Sequence, residues 1–200
     1  MKNYLCIDGK KIELTPEQVK QLTSVPEPVA KLSNDGKIAT IGEHEFIVLE
    51  NNEEKGIISL LLKDLLCNSR FGDNCDFEDS EIKEKLKEFA DNIANLIGED
   101  NILTHDVDLT TDDGLKYYGE TTAKMSLLTC NMYRKYAELI DKYKLNKYWW
   151  LVTPYSAPSH YESSLVKCVA PSGYLSYGSS NDYGDGVRPF CILKSNIFVS

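Results

Sequence analysis

The chain has 200 residues, 42% hydrophobic and 26% charged, with 31 acidic against 22 basic side chains and a net charge of −9. Those proportions are globular and exclude a disordered tail, a collagen-like rod or a coiled coil as a description of the whole chain. The acidic balance argues against nucleic-acid binding, which needs a basic footprint. No apolar run reaches the about 18 residues of a membrane span, since Ile57 to Leu66 is broken by Lys63 and Asp64.

In chain order, residues 1–25 read as a hairpin-helix appendage. Tyr4 to Ile7 and Lys11 to Leu14 flank an Asp8-Gly9 turn signal. Thr15-Pro16-Glu17-Gln18 then opens a helix with a capping box. About 20 residues cannot bury a core alone, so this unit is expected to dock or to form a homo-oligomer. Residues 26–36 read as a linker. Ile38 to Ile41, Glu45 to Glu50 and Ile57 to Leu62 predict strands, the last one well buried. Asp79 or Ser80 caps an amphipathic helix carrying Ile82, Leu86, Phe89, Ile93 and Leu96 or Ile97 on one face, stopped by Gly98. An acidic loop spans Glu99 to Glu120. Met125 to Leu128 predicts a short strand, and Thr129 caps a second helix through Tyr143. Trp149 to Pro154, Leu165 to Ala170, Tyr174 to Tyr177 and Val187 to Leu193 complete an α+β arrangement.

Charge is unevenly placed. Residues 41–120 hold 7 basic and 21 acidic side chains, whereas residues 121–200 hold 9 basic and 5 acidic. A solvated helical face with acidic loops accounts for the middle, and a cation-binding surface is the alternative. Asp106, Asp108, Asp112 and Asp113 resemble a calcium loop only loosely, without the glycine and terminal glutamate of an EF-hand. The six cysteines show no C-x-x-C pair and the three histidines no H-E-x-x-H spacing, so neither metal nor cofactor is expected. Cys130, Cys168 and Cys191, set among apolar neighbours, read as core thiols. The N-terminus lacks the apolar core of a signal peptide, which gives an expectation of a cytoplasmic or virion-associated protein.

Trp149-Trp150-Leu151-Val152-Thr153-Pro154 together with Gly186-Val187-Arg188-Pro189-Phe190 resembles the "WWLRSP … GVRPA" signature of the domain-of-unknown-function family 6273 of Gram-positive gut bacteria and their phages. Gly42 to Leu49 is similar to that family's "G-x-x-x-W-x-V-L" strand, with Phe46 in the tryptophan position, and Ser126 to Thr129 to its "FLLS" strand. Val152 stands where the family usually has arginine. The resemblance covers residues 37–200 and implies a C-type-lectin-like domain, the fold shared with formylglycine-generating enzymes and the variable proteins of diversity-generating retroelements. In that fold the first and last strands pair, and a loop-rich face binds ligands.

Strand alternation sends Trp149 and Trp150 to opposite faces. Arg188, between Val187 and Pro189, is expected to brace a loop through backbone carbonyls or a carboxylate, with ligand binding as the alternative. Of the 32 residues from Tyr155 to Gly186, 20 are Tyr, Ser, Gly, Asn or Asp, a composition like that of antibody binding loops. Tyr155, Ser156, His160, Tyr161, Ser163, Tyr174, Tyr177, Ser179, Asn181, Asp182 and Tyr183 are therefore candidate contacts for a protein or glycan ligand; solvated turns are the alternative. Asn181-Asp182 lacks the E-P-N or Q-P-D partner of a sugar-binding calcium site. His160 with Ser163 or Ser164 has no G-x-S-x-G elbow, and Cys168 and Cys191 offer only a weak parallel to formylglycine-generating chemistry. The expectation is a non-enzymatic binding or structural protein of phage or prophage origin. A retroelement-diversified variable protein and a divergent formylglycine-generating-type enzyme are the alternatives.

Overall fold

The computed structural model describes residues 3–7, 10–23, 28–160 and 164–198. Strands β1 (Asn3–Ile7) and β2 (Lys10–Leu14) pair antiparallel, and helix α1 (Pro16–Thr23) follows. The turn Asp8-Gly9 lies outside the described residues. The capping box closes in both directions: Thr15 N–H donates to Gln18 Oε1 at 2.9 Å, and Gln18 N–H donates to Thr15 Oγ1 at 3.2 Å.

Part of the expected linker is a strand. β3 (Ala30–Leu32) pairs with β4 (Ile38–Ile41), which continues antiparallel into β5 (His44–Asn52) and β6 (Ile57–Leu62). β7 (Cys67–Asn68) precedes helix α2 (Glu81–Ile97). Of the two candidate caps, Ser80 fills the position and accepts from Lys83 N–H at 3.1 Å. Ile82, Leu86, Phe89 and Ile93 are buried, and Ile97 rather than the exposed Leu96 continues the packed face. The acidic segment is not one loop, because it contains β8 (Ile102–Leu103) and β9 (His105–Asp108). β9 pairs with β10 (Glu120–Ala123), an isolated ribbon.

The strand expected at 125–128 shortens to β11 (Met125–Ser126), and Thr129 then caps helix α3 (Cys130–Ile140), accepting from Met132 N–H at 3.1 Å. A 3₁₀ turn over residues 141–143 completes that segment. The C-terminal strands are β12 (Trp149–Pro154), β13 (Leu165–Val169), β14 (Leu175–Ser179), β15 (Gly186–Val187) and β16 (Phe190–Lys194). The run 187–193 is thus two strands, divided at Arg188-Pro189, where proline offers no N–H to a ladder.

Two larger sheets result. One has the order β11-β16-β6-β5-β4-β3, with β8 also on β16; the other has the order β14-β13-β12-β15-β7. Both faces of the first are covered. Phe46, Val48, Leu60 and Leu62 join Ile82, Leu86 and Phe89 of α2, while Ile47, Leu49 and Leu61 join Tyr133 and Ile140 of α3. The alternation of β12 matches this division: Trp150 and Val152 enter the α2-side core, and Trp149 and Leu151 enter the α3-side core. Trp150 Nε1–H donates to Ser69 O at 2.8 Å, which satisfies its polar edge deep in the core. Gly178 of β14 passes so close that a Cβ there would lie 2.9 Å from the Trp150 ring, a contact no larger residue could make.

Candidate functional site

The acidic turn after β9 is built from its own hydroxyls. Asp108 accepts from Thr110 N–H at 2.9 Å, Leu115 N–H donates to Thr111 Oγ1 at 3.0 Å, and the Thr111 hydroxyl donates to Asp113. Gly114 turns the chain at φ 89°, a conformation that favours glycine. The turn is tied to the strand that carries the tryptophans, because Asp112 N–H donates to Pro154 O at 2.9 Å.

Its two carboxylates then face opposite jobs. Asp112 meets two cations, Lys167 Nζ of β13 at 3.0 Å and Arg134 Nη2 of α3 at 3.2 Å. Lys167 is 7% exposed and lies 5.6 Å from the centre of the Tyr155 ring, which in turn stands 5.0 Å from the Tyr177 ring. Asp113 accepts from the Ser156 hydroxyl at 2.6 Å and lies 3.1 Å from His160 Nδ1. The hydroxyls of Ser156 and Thr111, with His160 beside them, hold the Asp113 carboxyl down at about 2. Of the acidic residues weighed as a calcium loop, Asp113 anchors the segment after β12 through Ser156 and Asp112 ties to the last residue of that strand, while Asp108 closes the turn on Thr110. Among the described residues no group of three or more His, Cys, Asp or Glu side chains is placed to hold a metal.

Between this turn and the N-terminus of α3 opens a cleft of about 220 Å³, lined by Asp108, Thr110, Asp112, Asn131, Arg134 and Thr153 among others. Its lining is polar, with two carboxylates, Asp108 and Asp112, against the single cation Arg134, and is suited to hydrogen bonding rather than to an apolar ligand. Cys130 also lines it, but burial, reinforced by Asp112, pushes that thiol up to about 11. A thiol so protonated is a poor nucleophile at neutral pH. Reading the sequence did not find this cleft, because it is assembled from three separate segments. One signal was there: Lys167 is a lone cation inside the apolar run Leu165 to Ala170.

The candidate contacts of 155–186 do not form one patch. Tyr177 shares a face of β14 with Leu175 and stands beside Tyr155 and Lys167. Tyr174 leads into the opposite face, that of Ser176 and Gly178, and its nearness to Tyr148 pushes the Tyr148 phenol up. Tyr183 lies in the loop before β15, with the Arg70 guanidinium 5.8 Å from its ring centre. Tyr174, Tyr177 and Tyr183 are 57%, 54% and 68% exposed, so each offers most of a ring to solvent. Ser179, Asn181 and Asp182 are exposed at the adjoining turn, and His160 is exposed beside Asp113. Ser156 departs from the expectation of a surface contact, since it is buried and committed to Asp113. Tyr161 and Ser163 lie outside the described residues.

Arg188 is fully buried. Nε donates to Leu62 O at 2.8 Å, and Nη2 donates to Lys63 O at 2.8 Å and Tyr143 O at 3.3 Å. Its guanidinium lies 5.0 Å from the centre of the Trp149 ring. It thus joins the end of β6, the turn after α3 and the Trp149 face. Burial lowers its pKa to about 10, so it stays charged at neutral pH.

The fold and the site define an α+β protein with two curled sheets, a polar cleft at a helix start and a tyrosine-bearing sheet rim. Against known proteins, the chain matches no family model, no curated protein and no solved structure.

Proposed function

We propose that the chain is a non-enzymatic ligand-binding domain, of C-type-lectin-like architecture and phage or prophage origin, that engages a protein or glycan through the rim formed by residues 155–186. The observation that carries this reading is the exposure of Tyr174, Tyr177 and Tyr183 around both faces of the edge strand β14 and in the loop before β15, above a base fixed by buried contacts. Asp112 with Lys167, Asp113 with Ser156, and Gly178 against Trp150 hold the backbone, so the aromatic rings are presented at low entropic cost. The "WWLxxP … GVRP" residues also support it, since Trp149, Trp150 and Arg188 all serve as framework beneath that rim.

An enzyme of the formylglycine-generating type would need a reactive thiol. Burial pushes both Cys168 and Cys191 up to about 12, which leaves them protonated. The experiment is a binding screen of the whole chain against glycans and host-surface proteins, repeated with Tyr174→Ala, Tyr177→Ala and Tyr183→Ala combined. Loss of a binding signal by at least tenfold, with an unchanged melting temperature, is expected. Undiminished binding by the triple variant would sink the assignment of this rim.

A further inference from the structure

The strands that end the two larger sheets are not protected alike. β11 and β7 have two residues each, and β3 has three with Lys31 at its centre. Edges so short or charged resist pairing with another chain. β14 has five residues, Leu175–Ser179, with neither charge nor proline, and no described strand lies beyond it.

The hydrogen bonds at its two ends fix which main-chain groups face that edge. Ala170 N–H donates to Tyr174 O at 3.0 Å, and Ser180 N–H donates to Ser164 O at 2.6 Å. Alternation then turns the main chain of Ser176 and Gly178 towards β13, opposite Cys168 and Val166. The N–H and C=O of Leu175 and Tyr177 point the other way, and among the described residues nothing bonds to them. Ser179 shares their direction, but its C=O already accepts from Asp182 N–H at 2.8 Å.

An edge of this kind is complementary to itself. In antiparallel register about a two-fold axis at Ser176, Leu175 of each copy exchanges its N–H and C=O with Tyr177 of the other. On one face the Leu175 side chain then meets a tyrosine ring, a favourable cross-strand pair. On the other face Tyr174 lies opposite Gly178, which has no side chain to oppose the ring. None of residues 174–179 is charged, so no like charges meet along the strand. Tyr174 and Tyr177, 57% and 54% exposed, supply the apolar surface to be covered. We propose that β14 is a homodimerisation edge, across which a second copy of this chain joins the two five-stranded sheets into one. The pairing is made by main-chain groups and needs no ligand at the rim.

Sedimentation equilibrium of the full chain from about 1 μM to about 200 μM is expected to show monomer and dimer in exchange. Amide exchange read by NMR over the same range locates the contact. The Leu175 and Tyr177 N–H groups exchange readily in dilute solution and slow by about tenfold or more in the dimer, whereas those of Ser176 and Gly178, bonded to β13, are slow throughout. Leu175→Pro removes an outward N–H and no bond to β13, and weakens dimerisation by about tenfold or more. Ser176→Lys keeps the main chain intact and sets two cations about 5 Å apart at the axis, with the same result. A chain that stays monomeric throughout overturns the proposal, even where a foreign peptide protects the same amides. So does a dimer whose Leu175 and Tyr177 amides stay unprotected, or one that Ser176→Lys leaves unchanged, since its contact would lie on another face.

Discussion

Lys167 and Arg188 are both buried cations of the C-terminal half, 7% and 0% exposed, and they settle their charge by different means. Lys167 has a carboxylate, Asp112, which it shares with Arg134 at the edge of a solvent-open cleft. Arg188 has backbone carbonyls from two distant segments and the face of Trp149. A lysine is a compact point charge that can be neutralised by one partner, whereas the planar fork of arginine can tie several chain segments at once. The difference separates two roles within the same sheet. Arg188 serves the framework, and the Lys167–Asp112 pair positions the rim.

The largest test of that separation is Arg188→Ala. It leaves the Leu62 and Lys63 carbonyls without their donor and opens a cavity beside Trp149, so a loss of about 4 kcal/mol in denaturant unfolding is expected. A loss below about 1 kcal/mol would show that the carbonyls find other donors and that Arg188 is not a brace. The Lys167 region should respond less and asymmetrically. Asp112→Asn leaves a buried ammonium without its counter-charge, at a cost of about 2–3 kcal/mol. Lys167→Met removes the buried charge while Asp112 keeps Arg134, at about 1 kcal/mol or less. Equal costs for the two would mean the pair contributes packing rather than charge balance.

The smallest effect belongs to Asp113, whose carboxyl is held at about 2 by Ser156 and Thr111. A depressed carboxyl stabilises the fold above the ordinary carboxylate range and loses that contribution as pH falls towards about 2. Melting temperature should therefore fall between roughly pH 4 and pH 2, and Asp113→Asn should flatten that limb. An identical acid limb in the variant would show that the turn is held without this carboxylate.

What could be read from the sequence was what nearby residues decide among themselves. The caps at Thr15, Ser80 and Thr129 act across three residues, and each forms as expected. The opposite faces of Trp149 and Trp150 follow from strand alternation alone. Boundaries set by distant partners were harder. Ala30 to Leu32 becomes a strand because β4 is there to pair with it, and Ile102-Leu103 does so because β16 is. The tyrosine-rich composition of 155–186 located the rim, but not its division between Tyr177 on one face and Tyr174 on the other. Alternation over three residues already sends the two rings to opposite faces; what composition does not encode is the pairing of β13 with β14 that sets Tyr177 opposite Lys167.

The position of β16 has a consequence for how the chain reaches this state. Its residues pair with β6 on one side and with β8 and β11 on the other, so a late-synthesised strand occupies the interior of the larger sheet. While the polypeptide is being made, β3 to β6 can form a meander, but the outer edge of β6 stays open until residues 190–194 arrive. Closure then joins segments more than a hundred residues apart, which slows folding and leaves an apolar edge available for mispairing in the interval.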